Sequence, residues 1–280
     1  MSYINTKSSC LVCGSNDLIE IASLSGIPSS AQPFVDSLPV QIDRLSTTIS
    51  LIAYQCTNCS HVQSFSELVP YYKDVITSAS LSPLITSRRD QLIKSFSREL
   101  CIKSPRILEI GAFTAQYLRH LQDIGYDNVY GVENSPDSVS LARRAGVPVD
   151  CGYLLDENFL NCSGSKFDVV LCFNFLEHIP DPFRFLSVIK SQFASDNAIF
   201  YFTMPCFHYI RSQGLLQEFV PDHISYFTPV SLRILFERSN LCIQSLESVN
   251  NENDIEIIAS FTKPLCEPIL PNALVSLVDR

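Results

Sequence analysis

Four of the eleven cysteines stand as two C-x2-C pairs, Cys10/Cys13 and Cys56/Cys59, within the first sixty residues. Two thiolates set two residues apart reach one ion from a tight knuckle. Two such knuckles complete the tetrahedral set of a structural zinc site and leave no position open for catalysis. A pair of redox disulfides is the competing reading of the same spacing. Two further groups carry chemistry-bearing types. The segments Glu109-Ile-Gly111-Ala112 and Gly131-Val-Glu133-Asn134 place glycines and acids at the ends of short apolar runs, and Glu177-His178 and Asp222-His223 each join an acid to an imidazole. The second kind suits proton transfer near neutral pH.

These residues need elements to position them, and the hydrophobic pattern supplies a regular alternation. Apolar runs at 106–110, 128–132, 147–150, 167–173 and 198–203 read as buried strands, and 114–125, 136–145 and 182–193 read as the helices between them. Alternating short strands and helices predict a parallel, doubly wound α/β sheet. After a helix at 229–239 the order changes. Runs 241–248 and 255–262, joined by the polar turn Asn250-Asn-Glu-Asn-Asp254, predict an antiparallel hairpin at the sheet edge. A connecting helix is expected from Ser82 to Leu100, with Ser82 as its cap and Pro83 in its first turn. The chain therefore divides into a small zinc-binding domain (1–70), a linker and helical segment (71–100), an α/β domain (101–263) and a proline-containing tail (264–280).

Composition narrows the partners. The 280 residues carry a formal charge of −9, which repels a phosphate backbone and disfavours nucleic acid. No run approaches the roughly 20 apolar residues that span a bilayer, and no signal-peptide core opens the chain, so a membrane is not an expected partner. A thiol-rich, unsignalled chain reads as cytoplasmic.

A sheet of this kind binds ligands beyond the carboxyl ends of its strands, where strand order reverses. There Glu133 accepts the hydroxyls of a ribose, Gly111 lets the ligand approach the backbone, and Glu109 meets an ammonium or an intervening amide. The loop Gly-Ala-Phe-Thr-Ala-Gln has one glycine where a dinucleotide fingerprint has three, which disfavours a pyrophosphate. With the terminal hairpin, the arrangement resembles the class I S-adenosylmethionine-dependent methyltransferases, whose seven-stranded sheet it implies. That resemblance makes Glu109, Gly111, Ala112, Glu133 and Asn134 cofactor-binding, lays Asn174 and Phe175 against the methionine part of the cofactor, and sets His178 at the substrate rim. Phe113 and Ala115 sit where that family has further glycines.

The resemblance narrows with the paired knuckles, the element from Ile52 to Gln63, the tyrosines Tyr71 and Tyr72, and the segment Asp222-His223-Ile-Ser-Tyr226-Phe. Together these are similar to the zinc-containing nucleotide-sugar C-methyltransferases, which methylate a ring carbon beside a ketone in a nucleotide-linked deoxysugar. The likeness implies Zn2+ held structurally by Cys10, Cys13, Cys56 and Cys59, and a nucleotide-linked sugar as small-molecule substrate. A C–H bond becomes nucleophilic when a base removes its proton and the ketone accepts the charge as an enolate. His223 is the expected base, Asp222 its orienting acid, and Tyr72 or Tyr226 the donors to sugar oxygens. The chain departs from that family at Val220, Pro221 and Asp222, and is expected to lack its C-terminal domain. O- or N-methylation of a sugar or other small metabolite is the alternative reaction, and a non-catalytic interaction module the alternative class.

Overall fold

The computed structural model describes residues 9–28, 48–64, 82–156, 159 and 164–261. Tyr71, Tyr72 and the tail from 264 lie outside the described residues.

Eleven strands form two sheets among these residues. The small sheet begins with β1 (Leu18–Pro28) and β2 (Thr48–Cys56), an antiparallel pair with two irregularities, and continues through the knuckle to β3 (Val62–Ser64). Helix α1 (Pro83–Glu99) follows. The Ser82 hydroxyl accepts from the Ile85 amide at its N-terminus, and Pro83 occupies a position where the missing N–H costs nothing. The large sheet then alternates as the sequence predicts: β4 (Ile107–Ile110), α2 (Gln116–Asp123), β5 (Val129–Glu133), α3 (Pro136–Arg144), β6 (Val149–Cys151), β7 (Phe167–Phe173), α4 (Pro182–Val188) and β8 (Ala194–Pro205). The helix expected to reach 193 passes after Val188 into a wider turn over Ile189–Phe193. Helix α5 (Phe207–Gln213) is an element the sequence pattern does not announce. Strand β9 (Ser225–Tyr226), α6 (Pro229–Arg238), β10 (Cys242–Val249) and β11 (Asp254–Ser260) complete the described elements.

Strand order in the large sheet is β10-β11-β8-β7-β4-β5-β6. The strands from β4 to β8 are parallel, while β11 runs antiparallel to β8 and pairs with β10 as the predicted edge hairpin. Every residue of β4 and β7 is buried, because helices cover both faces of the sheet. A fully buried Leu, Ile or Phe contributes about 1.5–3 kcal/mol, so side chains such as Leu108, Val170 and Phe200 hold the sheet's centre rigid. The chain leaves β4 toward β5 on one side and later adds β7 on the other. This reversal opens a crevice at the carboxyl ends of β4, β5 and β7.

The small sheet is not closed by its own segment. Its order is β1-β2-β3-β9, and β9 comes from the stretch that carries Asp222 and His223. Val62 pairs with Tyr226 and Gln63 with Ser225. The Ser64 amide donates to the Ile224 carbonyl at 2.9 Å, and the Ser60 and Thr228 hydroxyls meet at 2.9 Å. Leu51, Ala53 and Val62 share a buried cluster with Phe207, Ile210, Phe219 and Tyr226, so apolar burial fuses the knuckle module to the acid-histidine segment.

Candidate active site

At the end of β4 the backbone turns at Gly111 with φ +73°, and a Cβ there would lie 2.8 Å from the Phe175 ring. Only glycine fits. Phe113 and Ala115 follow with φ +50° and +56°, the left-handed region in which a side chain costs roughly 1–2 kcal/mol. The loop thus keeps a glycine-like path through residues that are not glycine. Glu133, at the end of β5, braces it: one carboxylate oxygen accepts the Phe113 amide at 2.9 Å, the other the Ser135 amide at 2.8 Å. A carboxylate oxygen can accept more than one hydrogen bond, so Glu133 keeps capacity to accept from a ligand. Ala112 packs inward at 5% exposure, and the Asn134 carbonyl accepts from the Cys151 thiol. From β7 the chain enters Asn174 with φ +47°, its amide oxygen accepting from the Thr203 hydroxyl at 3.4 Å, and Phe175 then covers Gly111. The residues expected to bind the cofactor stand at or just past the carboxyl ends of β4, β5 and β7.

Arg89 is a residue that sequence reasoning passed over. The neighbouring Arg88 forms the ion pairs of α1, meeting Glu256 at 2.7 Å and Glu247 at 3.1 Å. Arg89 instead turns inward, 6% exposed, with its guanidinium carbon 3.6 Å from the centroid of the Phe173 ring. Its charge is felt by Glu109, whose carboxyl burial pushes up to about 8 while Arg89 pulls it down and Glu133 adds to the rise. One Glu109 oxygen is buried without a partner. The signal in the sequence was position: Arg89 shares with Ile93 and Phe96 the helical spacing of the buried face.

The acid-histidine pairs converge across 44 residues. Leu176–His178 forms one tight turn after β7, and the His178 Nδ1 lies 2.9 Å from the Asp222 carbonyl oxygen and 3.6 Å from its carboxylate. The His178 and His223 rings are 4.9 Å apart, and the Glu177 carboxylate is 3.9 Å from His178 Nε2. Burial lowers both imidazoles: His178 is opposed by the Asp222 charge, and His223 falls to about 3 with His178 adding to the effect. Burial also raises Asp222, and takes Glu177 up to about 8. Asp222 therefore partners His178 rather than orienting its chain neighbour His223. The His223 ring instead makes edge contacts with the rings of His178 and Tyr226. The helix after this segment is capped by Thr228 and Ser231 in a reciprocal box, so His223 is free of that duty. Tyr226, expected to face a sugar, is 2% exposed with its hydroxyl buried among Phe207, Phe219 and His223.

The cysteine pairs meet as the spacing predicts. Cys10 and Cys59 sulfurs are 3.4 Å apart, Cys13 and Cys56 sulfurs 3.5 Å, and all four lie within 4.8 Å of one another. None is in a disulfide. A tetrahedral zinc with Zn–S of about 2.3 Å sets its sulfurs about 3.8 Å apart, so the donor set fits that ion. The Cys10 thiol is lowered to about 5, chiefly by hydrogen bonding from Cys59.

This geometry has counterparts among known proteins. A family model described as "Methyltransferase domain" matches residues 85–246, more than half the chain. The chain belongs to this methyltransferase family. Its fold agrees: the plantazolicin methyltransferase BpumL in complex with SAH superposes with a TM-score of 0.50 at 13% identity, covering 62% of this chain and 84% of that one. Among curated proteins, "Ubiquinone biosynthesis O-methyltransferase" of Actinobacillus pleuropneumoniae serotype 7 is 29% identical over 85 residues, which is 28% of this chain and 36% of the relative. The protein of the same name from Neisseria meningitidis serogroup C is 21% identical over 182 residues, 59% of this chain and 74% of the relative. The chain thus spans about a third of the length of the first of these. The crevice of Gly111, Glu133 and Phe175 lies at the carboxyl ends of the central strands, the position at which a sheet of this kind takes ligands.

Proposed function

We propose that this methyltransferase transfers the S-adenosylmethionine methyl group to a small acceptor that must first lose a proton, a carbon beside a ketone in a nucleotide-linked deoxysugar. The observation that carries the reading is the convergence of His178 and His223 one turn beyond Phe175, which itself covers the cofactor loop at Gly111. A sulfonium donor supplies an electrophilic methyl group, and the rest falls to the chain's own side chains. Glu133 accepts from the ribose hydroxyls. Arg89 offers its charge to the carboxylate of the methionine portion, and the Glu109 carboxyl, held largely protonated by burial, ionises against the arriving ammonium. His223 takes the acceptor proton, and Asp222 holds His178 in place beside it.

The four-cysteine knuckle serves this site without chemistry of its own. Pairing of β3 with β9 fixes the segment from which His223 projects, so zinc at Cys10, Cys13, Cys56 and Cys59 stabilises the substrate side. Tyr72 remains part of the proposal as a donor to the acceptor oxygen. A second reading, transfer to a hydroxyl or amine, is favoured by the names of the curated relatives, which are O-methyltransferases. Hydrogen exchange separates the two. In D2O without methyl donor, the protein should exchange the proton beside the ketone of a nucleotide-linked 4-ketodeoxysugar, and His223→Ala should abolish that exchange. Absence of exchange by the wild-type protein sinks the carbon reading.

A further inference from the structure

Glu177, His178 and His223 form a second group of metal-ligand types, more than a hundred residues in sequence from the cysteines. One donor atom from each lies within 4.8 Å of the others. Three features make this more than an accidental cluster. The His178 Nδ1 is engaged by the Asp222 carbonyl at 2.9 Å, so this imidazole keeps its Nε2 available. A hydrogen bond at the remote nitrogen is how metal-binding histidines are held in orientation. Glu177 is 2% exposed, and its Oε2 is buried with no hydrogen-bond partner, the kind of atom a folded protein leaves unpaired only where something else is to meet it. Both histidines stay partly exposed while the carboxylate does not, so the group is closed on its carboxylate side and reached from its imidazole side.

We infer that Glu177, His178 and His223 bind a divalent transition-metal ion beside the methyl-transfer crevice. Two imidazoles and one carboxylate on one side of an ion leave its remaining positions open, and this donor set suits Mn2+, Fe2+, Co2+ or Zn2+ rather than Ca2+. Donor separations near 3 Å are needed at metal–ligand distances of about 2.1 Å, so the side chains close on the ion by roughly an ångström. The open positions would hold the acceptor's ketone or hydroxyl oxygen. The inference rests on the reading that the acceptor loses its proton here, and it changes the means. With His223 spent on the ion, the metal's charge would stabilise the acceptor anion, and a hydroxide held at another open position would take the proton and become bound water.

The test is ion uptake by the full chain, first saturated with one zinc at the cysteines. Titration with Co2+ followed by visible absorbance should reveal a second equivalent. Glu177→Gln and His223→Ala should each weaken that second equivalent by more than about tenfold and leave the first intact. Crystals of the wild-type protein soaked in Mn2+ should show an anomalous peak among the three side chains, a readout that does not depend on any variant folding. Uptake of one ion only, a second ion that neither substitution weakens, or a peak elsewhere would overturn the inference. Loss of hydrogen exchange in His223→Ala together with uptake of a single ion would leave His223 standing as the base.

Discussion

Single residues decide whether the crevice can hold its cofactor. Gly111 combines a left-handed φ of +73° with the Phe175 ring 2.8 Å from where a Cβ would stand, so no side chain fits. Gly111→Ala should cost about 2–4 kcal/mol in stability, from backbone strain plus overpacking, measured by urea unfolding, and should abolish binding of S-adenosylhomocysteine. A second residue-scale prediction follows from Glu109. Its carboxyl sits at about 8 in the folded chain against an ordinary value near 4.5, raised by burial. The folded state therefore binds a proton that the unfolded state has released between those values, and the stability this contributes is full at low pH and lost as pH rises toward 8. Glu109→Gln should flatten the decline in unfolding free energy between about pH 5 and pH 8 by a few kcal/mol, because an amide has no proton to lose. An unchanged slope would remove Glu109 from the account.

At the scale of elements, most of the sheet was legible because buried parallel strands are written as unbroken apolar runs, as in Phe167–Phe173. Four helix starts were equally plain, while the helix expected from Thr114 begins at Gln116 after an uncapped Ala115. Ser82-Pro83, Ser135-Pro136, Asp181-Pro182 and Thr228-Pro229 each put a capping side chain before a proline, and each caps a helix. Helix α5 escaped because its flanking Cys206 offers no cap and its seven residues are too few for a periodic signal. Strand β9 escaped for a different reason: two residues have no pattern, and their pairing with β3 crosses more than 160 positions. Asp222 illustrates the same limit. Sequence adjacency pointed it at His223, and tertiary folding gave it to His178. This long-range pairing yields a prediction for the knuckle. Cys56→Ser should release zinc, loosen β2, β3 and the segment 218–228 to limited proteolysis, and abolish hydrogen exchange of the keto sugar, while S-adenosylhomocysteine still binds. Retained protection of 218–228 in that variant would separate the knuckle from the active site.

As a whole molecule, the chain joins two ends of its sequence around one crevice. On the proposed function, the large sheet supplies the donor side through Glu109, Gly111 and Glu133, with Arg89 reaching in from α1. On the same proposal, the knuckle module supplies the acceptor side through the strand it shares with the segment that carries His223. The central claim is that this crevice binds S-adenosylmethionine through Glu133 and Arg89. Calorimetric titration of the full chain with S-adenosylhomocysteine tests it most directly: one site per chain is predicted, weakened at least about tenfold by Glu133→Ala and by Arg89→Ala, in keeping with the loss of charge-assisted hydrogen bonds. Heats no larger than dilution for the folded wild-type protein, or equal affinity in both variants, would contradict it.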